Sequence, residues 1–444
     1  MKSKPTKSAF KCGAAAVEYT PAPGLTLLGQ MHERIATRTR DPLTANAVAF
    51  RQGRETVVLV AVDICMLDDA FVRQTQQLFA KRTGLSAGQL LLHATHSHVA
   101  PTVFDLLTAK ADRRFVVRVQ RAILEAAVRA VRNLDSVTVF SGTGQMDHMG
   151  WNRRAMFRDG SSRMYSDSET PGFIGLEGPR DPALPVLFAR NASGAIKVVV
   201  VNFATHPNCL ENERYYSADL PGEVRRQLKA LLGPEVVVVY LTGAGANVAP
   251  SILDPLEADQ PWRGETGVQR SGLYLAGEAA KVIAAATRPM QAPVLRVMQT
   301  KLQIPIRPWP KAGAVNDPFP WLQRRPATRR YYAAAKAEWP ERTAKHNPVP
   351  VMVNVIRVGD TAFCANPSEF FVEHGLSIRK LSPARVTFIS ELTDGYCGYV
   401  PTKKAFARGG YETWPAPTSQ LAPEAGPKII DGTRQLLRKA FQSK

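Results

Sequence analysis

Short valine-rich runs that alternate with longer amphipathic segments constrain the fold of this chain more than any other feature. Strand-length runs include "VVLVAVDICML", "KVVVVNFATHP" and "EVVVVYLTGAGANVAP". Other segments, such as "RRFVVRVQRAILEAAVRAVRNL", place apolar residues at helical spacing. Strands that alternate with helices along a whole chain are typical of a layered α/β domain. The sequence therefore predicts mixed sheets flanked by helices in one large domain.

The ends and boundaries of that domain follow from local composition. Residues 1–14 are basic and lack an apolar run, which predicts a basic N-terminal tail before a domain over residues 15–444. The proline-rich stretch 305–350 resembles a linker, but the strand pattern resumes after it. No run reaches the roughly 20 apolar residues of a membrane helix, and the N-terminus lacks the apolar core of a signal peptide. We expect no transmembrane segment and a cytoplasmic location, and the oligomeric state stays open.

Charge and cysteine content limit the classes of partner. The formal net charge of +19 is scattered, and its densest patches are the N-terminal lysines and "RRPATRRYYAAAK" at 324–336. No zinc finger or RNA-binding motif accompanies it, so we expect a solvated basic surface and no nucleic-acid partner. The five cysteines are widely spaced without a Cys-x-x-Cys pair, which disfavours disulfides and cysteine-based metal sites.

Three of the eight histidines fall in "LLLHATHSHVAPT", residues 90–102, at the end of an apolar strand. Alternate residues of a strand face the same side, so His96 and His98 point together. Such a pair can form one wall of a metal pocket, and it can equally be two hydrogen-bonded structural histidines. His93, further back in the strand, is expected to be buried and structural.

Three further segments place metal-type or acid–base residues where an apolar element ends. His206 closes the strand of "VVVVNFATHPNC". Glu369 is predicted in the first turn of a helix, behind a Ser368 N-cap, where the helix dipole alone would explain a carboxylate. The glycine-rich stretch "TDGYCGYVPTKKAFARGGYET" contains three tyrosines, Tyr396, Tyr399 and Tyr411. Together the segments suggest a His, His and Glu site of the kind that zinc prefers.

In combination, these segments resemble the catalytic N-terminal domain of the neutral/alkaline non-lysosomal ceramidases. The resemblance covers nearly the whole chain, and its motifs occur in the family's order: "ATHSHVAP", "WNRRAMFRDG", "NFATHP", "LTGAGANVAP", "NPSEFFVEHGL" and "GYVPTKKAFARGGYE". It implies a single zinc ion bound by His96, His206, Glu369 and Tyr399. It also implies active-site roles for His98, Arg153 and Tyr411, and places Asn247 in the same pocket.

The chain departs from the ceramidase pattern in three places. The loop that carries the family's catalytic serine is "ANVAPS" here, with Ala249 at the serine position and Asn247 at an aspartate position. The family's "HSGP" is replaced by "HVAP". The resemblance also stops before the family's C-terminal immunoglobulin-like domain. These departures put ceramide in doubt as the substrate.

The sequence therefore predicts a zinc-dependent hydrolase of amide (C–N) bonds, with water attacking the carbonyl of a small-molecule or lipid N-acyl substrate. His98 would transfer the proton, and Arg153 and Tyr411 would stabilise the oxyanion. One alternative is an amidohydrolase of the β/α-barrel type, which also begins with His-x-His on a strand. The other alternative, supported by Ala249, is a catalytically inactive ceramidase-like binding protein.

Overall fold

The computed structural model describes residues 9–166, 168–251 and 262–442. The first α-helix is capped at both ends: the Asp68 carboxylate accepts the Phe71 N–H at its start, and Gly84 ends it with a φ of 72°. The helices are α1 (Asp69–Thr83), α2 (Arg113–Arg132), α3 (Asp219–Leu232), α4 (Gly264–Ala285), α5 (Pro326–His346), α6 (Val372–Leu381), α7 (Lys403–Arg408) and α8 (Ala425–Phe441).

The strands are concentrated in the valine-rich and alanine-rich runs. They are β1 (Phe10–Glu18), β2 (Arg38–Thr39), β3 (Thr44–Gln52), β4 (Glu55–Val62), β5 (Leu90–Ala94), β6 (Asp135–Ser136), β7 (Thr138–Gln145), β8 (Trp151–Asn152), β9 (Arg154–Phe157), β10 (Ser162–Met164), β11 (Phe173–Leu176), β12 (Ala183–Arg190), β13 (Ile196–Phe203), β14 (Tyr215–Tyr216), β15 (Val237–Thr242), β16 (Val248–Ala249), β17 (Leu295–Ile304), β18 (Val349–Val358), β19 (Thr361–Ala365), β20 (Ser368–Phe370), β21 (Val386–Ser390) and β22 (Gly398–Val400).

Three open mixed sheets organise the fold. Their strand orders are β5-β4-β3-β1-β6, β15-β13-β12-β7 and β17-β18-β19-β21. The three sheets share an apolar core, with Leu59, Val200 and Phe388 among its fully or almost fully buried members. Helices cover the outer faces: α1 and α2 pack on the first sheet, α3 and α4 on the second, and α6 and α8 on the third. The predicted α/β class, with mixed sheets flanked by helices, is confirmed.

The architecture also corrects one boundary and removes one alternative. Residues 10–14, assigned to the basic tail from composition, belong to β1, which pairs along its whole length with β3. Cys12 and Ala14 face the core. The lysines near them in sequence made the segment read as a basic tail rather than as a strand. Residues 1–8 of the predicted tail lie outside the described residues. The described strands form open sheets rather than a closed ring, so the β/α-barrel alternative is wrong.

Parallel pairing brings several strand ends to one edge of the molecule. β4 pairs in parallel with β5, β13 with β15, and β19 with β21, so the carboxyl ends within each pair meet. Ligand sites in open α/β sheets form at such ends. In the described ranges, no helix has the length and apolarity needed to cross a membrane.

Candidate metal centre

His96 and His206 each follow the end of a core strand, β5 and β13, and both are fully or almost fully buried. His96 adopts a left-handed backbone conformation, with a φ of 67°, and its N–H donates to the Ile64 carbonyl over 2.9 Å. A non-glycine residue held there costs of the order of 1 kcal/mol or more and is uncommon outside functional sites and turns. The backbone is thus bent at His96 to aim its ring into the site.

Hydrogen bonds to backbone carbonyls determine which nitrogen of each ring is free. His96 Nδ1 lies 2.9 Å from the Cys65 carbonyl oxygen, and His206 Nδ1 lies 2.9 Å from the Gly245 carbonyl oxygen. A carbonyl oxygen can only accept, so each Nδ1 carries the proton. The Nε2 lone pairs of both rings therefore face the site interior, which is the arrangement of metal-binding histidines.

Three electron-pair donors converge without a proton between them. The two Nε2 atoms are 3.2 Å apart, and Glu369 Oε2 lies 3.6 Å from each. Ligands about 2.1 Å from a tetrahedral zinc lie roughly 3.4 Å from one another, so the spacing fits such an ion. Without a cation, three mutually repelling donors in a buried cavity would be costly. The residues present therefore fit a zinc ion.

The electrostatic setting keeps both rings neutral. Burial lowers the pKa of His96 to about 4, and the neighbouring His98 acts in the same direction. Burial and the Arg153 guanidinium hold the pKa of His206 well below its usual range. Neutral imidazole is the form that binds a metal.

Glu369 reaches the site from a strand rather than a helix. The prediction that Glu369 lies in the first helical turn is wrong: Glu369 is the middle residue of β20, and α6 begins only at Val372. β20 pairs in parallel with β22, with Glu369 directly opposite Tyr399. This register puts both side chains on one face of the ribbon. The pairing is long-range in sequence, which is why a local cap pattern suggested a helix instead.

Arg153 connects Tyr399 to a buried charge pair. Its Nη2 donates to Tyr399 Oη over 3.2 Å, and its Nε donates to Glu412 Oε1 over 3.1 Å. Glu412 is completely buried and binds Arg154 with its second oxygen over 2.6 Å. One carboxylate thus holds two adjacent guanidinium groups, and this contact fixes the direction of Arg153. Sequence analysis missed Glu412, although it directly follows Tyr411.

Tyr411 packs beside Tyr399, with ring centroids 5.6 Å apart in an edge-to-face arrangement. Burial, followed by the nearby Glu369 carboxylate, raises the pKa of Tyr411 well above its usual value. Burial and Glu369 also raise the pKa of Tyr399. Both phenols therefore keep their protons at neutral pH and can donate hydrogen bonds.

Tyr396 belongs to the site and was not assigned to it from the sequence. Its hydroxyl donates to Glu369 Oε1 over 2.7 Å, which leaves Oε2 to face the two histidines. The signal was present, because Tyr396 is the first of the three tyrosines in the glycine-rich stretch. What the sequence lacks is any sign of which carboxylate that hydroxyl reaches.

His98 lies beside His96, with its Nε2 atom 3.2 Å from His96 Nε2, and further from His206. The ring centroids of His98 and His96 are 4.7 Å apart, against 5.7 Å between His98 and His206. His98 Nδ1 lies 3.6 Å from Glu211 Oε2. Burial opposes ionisation of Glu211, but His98 and Arg263 outweigh it and hold its pKa well below the usual range. Gly29 packs against the His98 ring so closely that a Cβ added at this position would lie 2.5 Å from His98 Cγ.

Asn247 and Ala249 follow the end of β15. The Asn247 side chain accepts the Val372 N–H over 2.8 Å and donates to Glu373 over 2.9 Å, so its amide orders the start of α6. The backbone carbonyl of Asn247 also accepts the backbone N–H of Arg153 over 2.8 Å. These contacts favour positioning over direct contact with a substrate. Ala249 pairs with Trp151 in the short β16–β8 ribbon.

Two other groups near the centre have different roles. His93 accepts the Thr242 N–H at Nε2 over 2.9 Å and donates from Nδ1 to the Glu391 carbonyl, so both nitrogens are used structurally, as predicted. Cys65, His96 and His98 also lie close enough together to hold a metal. Burial raises the pKa of the Cys65 thiol well above its usual value, which disfavours the thiolate that such a site needs.

Comparison of the whole fold with solved structures gives a clear relationship. The crystal structure of neutral ceramidase from Pseudomonas aeruginosa superposes with a TM-score of 0.77, over 99% of this chain and 76% of that chain, at 18% sequence identity. The chain has the neutral ceramidase fold. A structure of a ceramidase complexed with C2 matches this ceramidase fold equally well, with a TM-score of 0.76, over 97% of this chain and 75% of that chain, at 16% identity. No protein-family model and no curated protein sequence matches the chain.

Proposed function

We propose that this protein is a zinc-dependent hydrolase of amide bonds of the neutral ceramidase type. The observation that carries the proposal is the convergence of His96 Nε2, His206 Nε2 and Glu369 Oε2, with both histidine Nδ1 atoms bound to carbonyl oxygens. Tyr399, opposite Glu369 in the ribbon, is the proposed fourth and weaker ligand. The neutral ceramidase fold supports the reaction class.

A zinc ion held by these residues would acidify a water molecule and polarise the carbonyl of the substrate. The residues around it would do the remaining work. His98, with its lowered pKa, is neutral at pH 7 and can accept the proton of the attacking water. Glu211 Oε2 lies 3.6 Å from His98 Nδ1. Its carboxylate would stabilise the imidazolium that forms when His98 takes up the proton.

Arg153 and Tyr411 are the proposed donors to the oxyanion of the tetrahedral intermediate. Arg153 is held by Glu412 and cannot swing away without breaking a buried ion pair. Tyr411 keeps its proton because its pKa is raised. Fixed donors of this kind contribute about 3 kcal/mol each to the stabilisation of a transition state.

The substrate we propose is an N-acyl amide that is smaller or more polar than a long-chain ceramide. Ala249 occupies the position at which the family loop carries serine, and a methyl group neither attacks a carbonyl nor donates a hydrogen bond. Direct attack by water needs no such hydroxyl. The altered loop thus changes the pocket next to Arg153 while the metal-binding residues are retained.

A comparison of substrates at equal zinc loading tests this proposal. Long-chain ceramide and a panel of short N-acyl amides are incubated with the protein, and release of the free amine is measured. We expect short amides to be cleaved with higher kcat/KM than ceramide. Faster cleavage of ceramide would make the protein an ordinary ceramidase, and no cleavage of any substrate by zinc-loaded protein would favour the binding-protein alternative.

A further inference from the structure

A cationic surface covers the segment from residue 311 to residue 336, at the start of α5 and in the loop before it. Its six exposed cations are Lys311, Arg324, Arg325, Arg329, Arg330 and Lys336. The segment contains one acidic residue, Asp317, which is buried and accepts the N–H groups of Gly313 and Phe319. The exposed face of this segment is therefore purely cationic.

These cations are available to an outside partner. Among the residues that the structure describes, none of the six takes part in an ion pair, whereas Lys345 further along α5 pairs with Glu341. Arg329 and Lys336 each approach the Phe319 ring, with the charge 5.4 Å from its centroid, but a ring face does not neutralise a charge. An anionic partner would find them unpaired.

Two apolar side chains project from the same surface. Trp321 is 40% exposed and Val315 is 39% exposed, although each is a residue that folding normally buries. The Arg163 guanidinium lies 5.3 Å from the Trp321 ring centroid and pairs with the exposed Asp159, so it is not counted among the unpaired cations. Tryptophan surrounded by arginines is typical of protein surfaces that enter the headgroup region of a bilayer.

The cationic surface is continuous with the loop that carries Tyr411. The Val315 carbonyl packs so closely against Gly409 that a Cβ there would overlap it. Tyr332 of α5 packs edge-to-face on Trp414, with centroids 5.7 Å apart, and Trp414 packs on Tyr411 at 6.1 Å. A partner bound to this surface would therefore lie next to the loop that closes the metal centre.

We propose that the cationic surface docks the protein on an anionic phospholipid bilayer. Its cations match the charge of the headgroups, and Trp321 and Val315 provide the apolar contact that a phosphate backbone of nucleic acid does not reward. Each cation near such a membrane contributes enough to change binding by about fivefold. The proposal concerns binding alone and does not depend on the proposed hydrolysis.

Vesicle co-sedimentation of the full chain tests the proposal. Vesicles of phosphatidylcholine with phosphatidylserine should bind the protein at low ionic strength, and vesicles of phosphatidylcholine alone should not. The Arg329→Gln/Arg330→Gln variant should bind about 30-fold more weakly. The matched control, Lys81→Gln/Arg82→Gln, removes two exposed cations at the end of α1 and should bind as the wild type does. Brominated lipid should quench tryptophan fluorescence in the wild type and not in Trp321→Phe.

The opposite outcomes overturn the proposal. Absence of binding to anionic vesicles at low ionic strength would do so directly. Equal weakening in the control variant would mean that net charge alone drives binding. Binding of a nucleic-acid duplex that is lost in Arg329→Gln/Arg330→Gln, with vesicle binding unchanged, would assign the surface to nucleic acid instead. Zinc content and near-ultraviolet circular dichroism, measured on each variant, separate these results from misfolding and from failure of the metal centre.

Discussion

His96 Nε2 and His206 Nε2 lie 3.2 Å apart, and neither ring has a proton to place between them. Both Nδ1 protons are committed to backbone carbonyls, of Cys65 and Gly245. Two lone pairs directed at each other in a buried cavity repel, and a cation between them would remove that cost. The hydrogen bonds of the two Nδ1 atoms thus determine that the Nε2 lone pairs face the interior of the site.

Tyr396→Phe is expected to weaken zinc binding by roughly 10- to 100-fold, the usual cost of losing a hydrogen bond that orients a metal ligand. The lost hydroxyl is the one that donates to Glu369 Oε1. Competition with a chelator of known affinity measures the change. Tyr240→Phe removes a buried hydroxyl that has no partner among the described residues, so zinc affinity should be unaffected in that control. Equal affinity in Tyr396→Phe and the wild type would remove Tyr396 from the centre.

Tyr411→Phe is expected to keep zinc and to lower kcat by roughly 10²-fold. The phenol is protonated and has no metal-binding role in the proposed site, so only the stabilisation of the oxyanion is lost. Steady-state kinetics on a cleaved N-acyl amide, together with zinc analysis of the same sample, separates the two effects. Unchanged turnover would show that Tyr411 packs beside Tyr399 without taking part in the reaction.

Glu412→Gln is expected to lower the free energy of unfolding by about 3 kcal/mol, because it leaves Arg153 buried without a counter-charge, whereas Arg154 keeps its pair with Glu177. Urea unfolding monitored by circular dichroism measures this change. The control, Glu341→Gln, breaks an exposed pair with Lys345 and should cost less than about 0.5 kcal/mol. Similar values for the two variants would mean that the buried cluster is solvated in solution.

The buried histidines His93 and His374 are expected to destabilise the metal-free protein as the pH falls below about 6.5, against the opposing contribution of Asp219 and Asp394, whose pKa values burial raises to about 7. Burial lowers the pKa of His93 to about 3 and that of His374 to about 4, whereas both are near 6.5 in the unfolded chain. Between these values the unfolded state binds more protons, so the free energy of unfolding falls as the pH falls. Urea midpoints measured in chelator from about pH 7 to about pH 4.5 test this. His374→Gln should make the fall in stability with falling pH smaller, and the control His346→Gln, at an exposed position, should leave it unchanged. Equal slopes in the wild type and His374→Gln would contradict the burial of His374.

The parts of the fold that could be predicted from sequence were those set by local periodicity. The apolar run "VVLVAVDICML" begins within β4, and "RRFVVRVQRAILEAAVRAVRNL" forms α2, as their periodicities predicted. His96 and His206 follow the ends of apolar strands, as the valine-rich and leucine-rich runs before them indicated. Glu369 was assigned to the wrong element, since β20 exists only through its pairing with β22.

The residues that sequence analysis missed act through contacts between distant segments. Tyr396 reaches Glu369 across 27 positions, and Glu412 reaches Arg153 across 259. Neither contact leaves a periodic or spaced pattern in the chain. The resemblance to ceramidases supplied the proposed ligand set, and the structure adds the hydrogen-bond partners of those residues.

The zinc content of the purified protein tests the central claim most directly. Elemental analysis of protein prepared without added metal should give one zinc ion per chain. The His96→Ala/His206→Ala variant should contain none, and His346→Ala, which removes an exposed histidine, should retain it. Wild-type protein that contains no zinc and takes up none on addition, or a double variant that retains a full equivalent, would contradict the metal centre described here.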